Sequence, residues 1–322
     1  MNQELSYIHV KDFTTQSGFH ISTLQLSYQL FGLELGTAPV VLVNHALTAN
    51  SLVAGEYGWW NQVIGKNKTI DTNKFTIISF NIPGNGYDGL LIENYQNFVA
   101  KDIANLFLIA LRKLGILKLH SIIGGSLGGG IAWEMAVLNP VIATHIIPIA
   151  ADWKSTDWLI ANCSIQEQFL LNSKNPVHDA RMHAMMCYRT PASYKAKFNR
   201  SIHEELKIFN IESWLFHHGK KLQKRFQLSA YKMMNHLLQT IEATNSENYL
   251  ENLSKIGAHI HIVAIDSDLF FLAAENKETY KELSKTSVEV FYNEIKSIHG
   301  HDAFLIEFDQ LDNILRPIFK VV

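Results

Sequence analysis

Apolar and polar positions alternate along residues 7–13 and 22–30, on either side of Gly18, and this period of two predicts an antiparallel pair of strands at a sheet edge. Unbroken, β-branched apolar runs follow. Residues 39–43, 75–80, 120–123, 145–150, 259–265 and 288–292 each predict a short strand of the kind buried on both faces. Between these runs the period lengthens. Val99, Ile103, Leu106, Ala110 and Leu114 share one helical face that Gly115 ends, and Ile131, Met135 and Leu138 share another that stops at Asn139-Pro140. Phe304, Phe308, Leu311, Leu315 and Ile318 predict a closing amphipathic helix. From about Trp153 to Leu250 the strand pattern is absent. Ala230, Met234, Leu237 and Ile241 keep helical spacing there, as do Met182, Met185 and Met186. The expected organisation is one α/β core built from residues 1–152 and 251–322, interrupted by a helical insertion over 153–250, most simply a lid.

One junction changes this picture from architecture to chemistry. The strand at 120–123 runs into Gly124-Gly125-Ser126-Leu127-Gly128 and then directly into a helical pattern. GxSxG between a strand and a helix predicts a sharp, strained turn that lifts a serine hydroxyl out at the sheet's carboxyl edge, with glycines where a Cβ would collide. Rival glycine-rich motifs do not fit, since no Lys-Ser/Thr follows and no GxGxxG register exists. A mostly parallel sheet with helices on both faces, a nucleophile turn and one helical insertion is the α/β-hydrolase fold.

A serine hydroxyl needs an imidazole to take its proton and a carboxylate to fix that imidazole's tautomer, in chain order Ser, acid, His on this fold. After the strand at 259–265 stand Asp266 and Asp268, equal candidates by pattern. After the last strand stand His299 and His301, the second just before the predicted closing helix. The oxyanion of an acyl-transfer intermediate needs two donors. The backbone N–H of Leu127 is one candidate, and that of Leu47, in the His45–Thr48 loop after the third strand, is the other.

Composition narrows the partners. Lys+Arg number 28 against Asp+Glu 30, a formal charge of −2, which leaves no basic surplus for nucleic acid or an anionic membrane and favours a small-molecule partner. Residues 1–10 lack the apolar core of a signal peptide and no run approaches a membrane span, so a cytoplasmic protein is expected. Cys163 and Cys187 are too few for a disulfide framework or a metal cluster, and reduced packing roles are expected for both, with no metal and no bound cofactor.

Several local motifs are not general to hydrolases. His45-Ala46-Leu47-Thr48, Gly58-Trp59-Trp60, Ile70-Asp71-Thr72, Gly124-Gly125-Ser126 and Gly300-His301-Asp302-Ala303-Phe304-Leu305 resemble, in this order, the signatures of homoserine O-acetyltransferases, over residues 39–308. In that family the acid lies in a Ser-Asp-x-Leu/Phe-Phe segment. The match to Ser267-Asp268-Leu269-Phe270-Phe271 implies Asp268 as the acid, and Gly-His-Asp implies His301 as the base. The resemblance further implies that Arg181 and Tyr188, seven positions apart, hold the carboxylate and backbone of homoserine, and that Asp302 binds its ammonium group. It implies acetyl-CoA as co-substrate and a homodimer formed through the lid helices, where Met182 and Met186 lie. Departures are Ile82-Pro83-Gly84-Asn85-Gly86-Tyr87 in place of a Ser/Thr-containing glycine-rich stretch, Cys187 in place of threonine, Leu127 and Gly130 where methionines are common, and a shorter chain overall. The alternatives are an esterase or thioesterase with the same triad, or a transferase using succinyl-CoA or serine.

Overall fold

A computed structural model describes residues 4–244 and 247–320. Strands β1 (Ser6–Thr14) and β2 (His20–Gly32) form the expected antiparallel pair. Then come β3 (Val40–Asn44), the two-residue strands β4 (Ile64–Gly65) and β5 (Ile70–Asp71), and β6 (Thr76–Phe80). Helix α1 (Ala100–Lys113), strand β7 (Leu119–Gly125), helix α2 (Leu127–Leu138) and strand β8 (Ala143–Ile149) complete the first part of the core. Among the described residues eight strands form the main sheet, in the order β1-β2-β6-β3-β7-β8, then β9 (His259–Ile265) and β10 (Val290–Ile295). Pairing is parallel from β6 to β10 and antiparallel at the β1 edge.

The continuous apolar runs are buried on both faces as their composition requires: every residue of β3 and β6 is buried. Each such Val, Ile or Phe contributes about 1.5–3 kcal/mol relative to an exposed position. Helix α2 is buried almost all round, because it lies under the insertion as well as against the sheet.

Two boundaries differ from the sequence reading. The last strand starts at Val290 rather than 288, because Thr286 turns the chain there and accepts the Val288 N–H at 3.2 Å. The closing helix does not begin at Phe304. Residues Gly300–Leu305 form a 3₁₀ turn, and α10 spans only Phe308–Leu315. Phe304 keeps the helix's apolar rhythm because the turn buries the same face.

Between β8 and β9 lie α3 (Asp157–Asn172), α4 (Pro176–Tyr188), α5 (Pro191–Phe198), α6 (Asn210–Gln223), α7 (Leu228–Gln239) and α8 (Tyr249–Leu253), the last crossing residue 250. Helix α9 (Ala273–Leu283) follows β9. None of the helices among the described residues is long and apolar enough to cross a membrane.

Imidazoles line the amino ends of β7, β8 and β9. His145 Nδ1 meets His261 Nε2 at 3.1 Å, and the His145 ring lies 5.2 Å from those of His120 and His259. Burial first, and neighbouring imidazoles second, hold His145 and His261 at about 4, while burial lowers His120. Among these imidazoles, His259 alone faces a carboxylate, Glu289, at 2.8 Å. A folded-state value below the unfolded one of about 6.5 means that the unfolded chain binds more protons. The stability of the neutral ladder is therefore complete above about pH 6.5 and is lost as pH falls toward 4. Thermal unfolding measured across that window should show Tm falling with acid, and His145→Gln should flatten the slope. An unchanged slope would remove the ladder from the acid response.

Candidate active site

The turn after β7 has the strain that its glycines predict. Ser126 has φ +56°, in the region that side-chain-bearing residues rarely occupy, and its carbonyl accepts the Gly129 and Gly130 N–H groups, starting α2. A Cβ on Gly125 would lie 2.6 Å from the Phe304 ring, and one on Gly124 would lie 2.5 Å from the Gly128 backbone. Ser126, Asp268 and His301 are all buried to about the same degree.

Of the two aspartates, Asp268 meets the histidine: its Oδ2 lies 2.7 Å from His301 Nδ1. Its Oδ1 accepts the N–H groups of Phe270 at 2.7 Å and Phe271 at 3.0 Å, which fixes the carboxylate plane. A carboxylate only accepts, so Nδ1 carries the proton and Nε2 is left as a base. Asp266 instead accepts the Ser297 N–H at 3.0 Å and sits 3.9 Å from Lys296, bracing the next loop. Ser267 ties the two loops together, donating to the Ser297 carbonyl and accepting the Gly300 N–H at 3.1 Å. His299 turns elsewhere, to the Ser193 hydroxyl at 3.0 Å and Arg189 at 3.3 Å. Aromatic rings enclose His301, with Phe270, Phe271, Phe304 and Tyr188 centred 5.2 to 5.8 Å from it. Such a box fixes the imidazole and keeps water from it.

Leu127 opens α2, where the helix offers its N–H no acceptor, and among the described residues the Leu47 N–H has none either. Two donors are therefore free beside the serine turn. The Leu47 loop is braced by His45, which the sequence placed in the loop motif without a role of its own. His45 is fully buried; its Nε2 accepts the Ile82 N–H at 2.9 Å and approaches Asn85 Nδ2 at 3.2 Å, so its Nδ1 proton goes to the Ala46 carbonyl at 2.9 Å. Burial holds this imidazole at about 4, neutral. Asn81 extends the brace, accepting the Ser51 N–H at 2.9 Å and an Asn85 N–H at 3.1 Å. The departure at residues 82–87 thus has a structural task.

In the helical segment between β8 and β9, α4 carries both Arg181 and Tyr188 and packs on the 3₁₀ turn that carries His301. The Arg181 guanidinium lies 5.4 Å from the centre of the Tyr188 ring and, among the described residues, has no carboxylate partner. Burial pushes the Tyr188 phenol well above its ordinary range, so it stays protonated. Asp302 is already paired: Arg189 Nε donates to its Oδ2 at 2.9 Å, and among the described residues Oδ1 has no partner. Sequence reading missed Arg189, which stands beside Tyr188 in the chain but 113 positions from its partner. Cys163 and Cys187 are free thiols, and Cys187 donates to Asn162 Oδ1 at 2.9 Å.

Residues 39–294 match the family model described as alpha/beta hydrolase fold. A homoserine O-acetyltransferase from Methanococcus vannielii is 30% identical over 96% of this chain and 71% of its own length. The chain belongs to the homoserine O-acetyltransferase family. It is therefore an enzyme, with the α/β-hydrolase fold. The family's protein from Carboxydothermus hydrogenoformans is 26% identical over all of this chain and 98% of its own, in an alignment of 373 positions against 322 residues here, which accords with shortened internal segments. Among solved structures, homoserine O-acetyltransferase from Bacillus anthracis superposes with a TM-score of 0.86 at 20% identity, covering 99% of this chain and 98% of its own. The L374D mutant of esterase E22 superposes at 0.89 with 19% identity, covering 99% and 100%. At such identities the likeness is one of fold.

Proposed function

We propose that this family member moves an acetyl group from acetyl-CoA to the hydroxyl of L-homoserine through an acyl-serine at Ser126. His301 Nε2 takes the Ser126 proton as the oxygen attacks the thioester carbonyl. The oxyanion is held by the Leu47 and Leu127 N–H groups, and Asp268 stabilises the imidazolium. The C–S bond then breaks and the proton passes to the CoA thiolate. In the second half the homoserine hydroxyl gives its proton to His301, attacks the acyl carbonyl and releases Ser126 with O-acetylhomoserine. Water is the competing acceptor. What separates transfer from hydrolysis is how well the lid excludes water and holds the hydroxyl in place, because positioning confers an effective concentration that dilute substrate lacks.

The observation that carries this reading is the guanidinium of Arg181, without a carboxylate partner among the described residues, over the ring of Tyr188, which in turn packs on His301. A half-buried cation without a counter-ion suits a substrate carboxylate, through two parallel charge-assisted hydrogen bonds. The open Oδ1 of Asp302 suits the ammonium group of the same molecule. Residues 153–250 act as the lid. A groove of about 780 Å³ on the outer side of α3 and α4, lined by Phe169, Met182 and Met186, lacks catalytic groups and suits the homodimer contact that the resemblance implies. A cytoplasmic role in methionine biosynthesis belongs to the same reading, with acetyl-CoA as co-substrate and no bound cofactor.

A panel of acetyl-CoA and succinyl-CoA against homoserine, serine and water tests donor and acceptor together. Acetyl-CoA with homoserine should dominate; serine, succinyl-CoA or water in first place would replace this reading with one of its alternatives. Arg181→Lys keeps the charge but loses the fork, and should raise the homoserine KM about 10-fold or more with kcat little changed. A wild-type KM would take Arg181 out of the acceptor site.

A further inference from the structure

The loop that carries the base, from Ile298 to Asp302, is met residue by residue by the segment that joins α4 to α5. Thr190 donates its hydroxyl to the Ile298 carbonyl, and the Ser193 hydroxyl and Arg189 Nη1 both reach His299 Nδ1, at 3.0 and 3.3 Å. An arginine only donates, so this Nδ1 is the unprotonated nitrogen of His299. Gly300 has φ +65°, and a Cβ there would lie 3.0 Å from the Tyr188 carbonyl oxygen, so the two backbones are in close contact. The last two pairs run in register. The Tyr188 ring faces the His301 ring, 5.5 Å between centres, and Arg189 Nε donates to Asp302 Oδ2 at 2.9 Å. Arg189 is itself held at both ends, because its backbone N–H donates to the Met185 carbonyl at 3.2 Å while Nη1 meets His299. The Arg189 and Asp302 side chains are only 19% and 18% exposed, so this charge-assisted bond keeps the orienting power that a fully solvated ion pair lacks.

We propose that Arg189 is the positioning residue of the ammonium site: it holds the Asp302 carboxylate by Oδ2 and thereby aims Oδ1 at the ammonium group of the acceptor. An unpinned aspartate turns about two single bonds, and an ammonium binding to it has to arrest that motion. Here the motion is arrested beforehand, by a bond to which the acceptor contributes nothing. Binding then sets guanidinium, carboxylate and ammonium in a row of alternating charge, with one carboxylate oxygen for each cation. Water, or an acceptor without an ammonium group, gains nothing from the arrangement. This inference rests on the proposed amino-acid acceptor and concerns the second half of the reaction alone, so acylation of Ser126 serves as an internal control.

Calorimetric titration of the full chain with L-homoserine and with 4-hydroxybutyrate, which lacks the ammonium group, measures recognition of that group without an acetyl donor. Wild type should favour L-homoserine about 10-fold or more. Arg189→Met, which keeps the apolar stem, should lose most of that preference, and Arg189→Lys, which can still donate one bond to Oδ2, should restore part of it. In steady state Arg189→Met should raise the homoserine KM about 10-fold with kcat within about 3-fold, while acetyl-enzyme forms from acetyl-CoA at the wild-type rate, read by intact mass. A purely structural contact would slow acylation together with acceptor use, since the same segment packs on His301. That result, a wild-type preference in Arg189→Met, or no preference in wild type would overturn the proposal. If Arg189→Met fails to fold, Arg189→Lys decides: it should lose several-fold of the preference, and full retention would overturn the role of Arg189. Failure of the transfer reading would appear separately, as absence of O-acetylhomoserine from wild type given acetyl-CoA and homoserine.

Discussion

Ser126→Ala is expected to form no acetyl-enzyme and to lose about 10⁴- to 10⁶-fold in kcat, the range set by removing a nucleophile that acts as a unit with its base. Alanine has the same Cβ as serine and meets the same strain at φ +56°, so the turn and the buried strand behind it should be unchanged. The two free N–H donors would remain, and a small residual rate from them is part of the expectation. Intact mass after mixing with acetyl-CoA reads the result directly. An acetyl adduct on the variant would mean that another side chain carries the acyl group and that the elbow is only a turn.

Asp268→Asn should cost nearly as much, about 10³- to 10⁴-fold in kcat, although it alters a single atom. Oδ1 of Asp268 accepts two backbone N–H groups, and Oδ2 accepts a hydrogen bond from the His301 Nδ1–H. An asparagine must turn its NH₂ toward one side or the other. Facing Phe270 and Phe271 it opposes two donors with a third. Facing His301 it forces the proton from Nδ1 to Nε2, which removes the base that Ser126 needs. Either outcome also withdraws the charge that stabilises the imidazolium. Asp266→Asn, whose carboxylate braces Ser297 and lies near Lys296, should stay within about 3-fold of wild type. Steady-state kcat for the two variants separates them, and equal losses would contradict the assignment of the acid.

The contrast between these aspartates also indicates what a sequence can carry. The strands and the elbow were legible because local rules dictate them: β-branched runs for buried strands, and GxSxG where a Cβ would strike Phe304 or the α2 backbone. The choice between Asp266 and Asp268 was not open to pattern, since both stand in one turn after β9 and only the position of His301, 33 positions on, distinguishes them. Resemblance selected Asp268, and the structure brings that residue to His301. The same limit hid the His45 brace and the Arg189–Asp302 pair, each made between segments far apart in the chain. Periodicity misplaced the closing helix for a related reason. A 3₁₀ turn at Gly300–Leu305 presents Phe304 on the same buried face as α10, and the spacing of apolar residues does not register the change of helix type.

The central claim is that the acyl-serine is resolved by an amino-acid hydroxyl rather than by water. Release of CoA from acetyl-CoA, followed with and without L-homoserine, tests it most directly. Homoserine should accelerate turnover well above the hydrolytic rate and appear as O-acetylhomoserine in equal amount to the CoA released. Turnover at one rate regardless of homoserine, with acetate as the product, would make the protein a hydrolase and contradict the account.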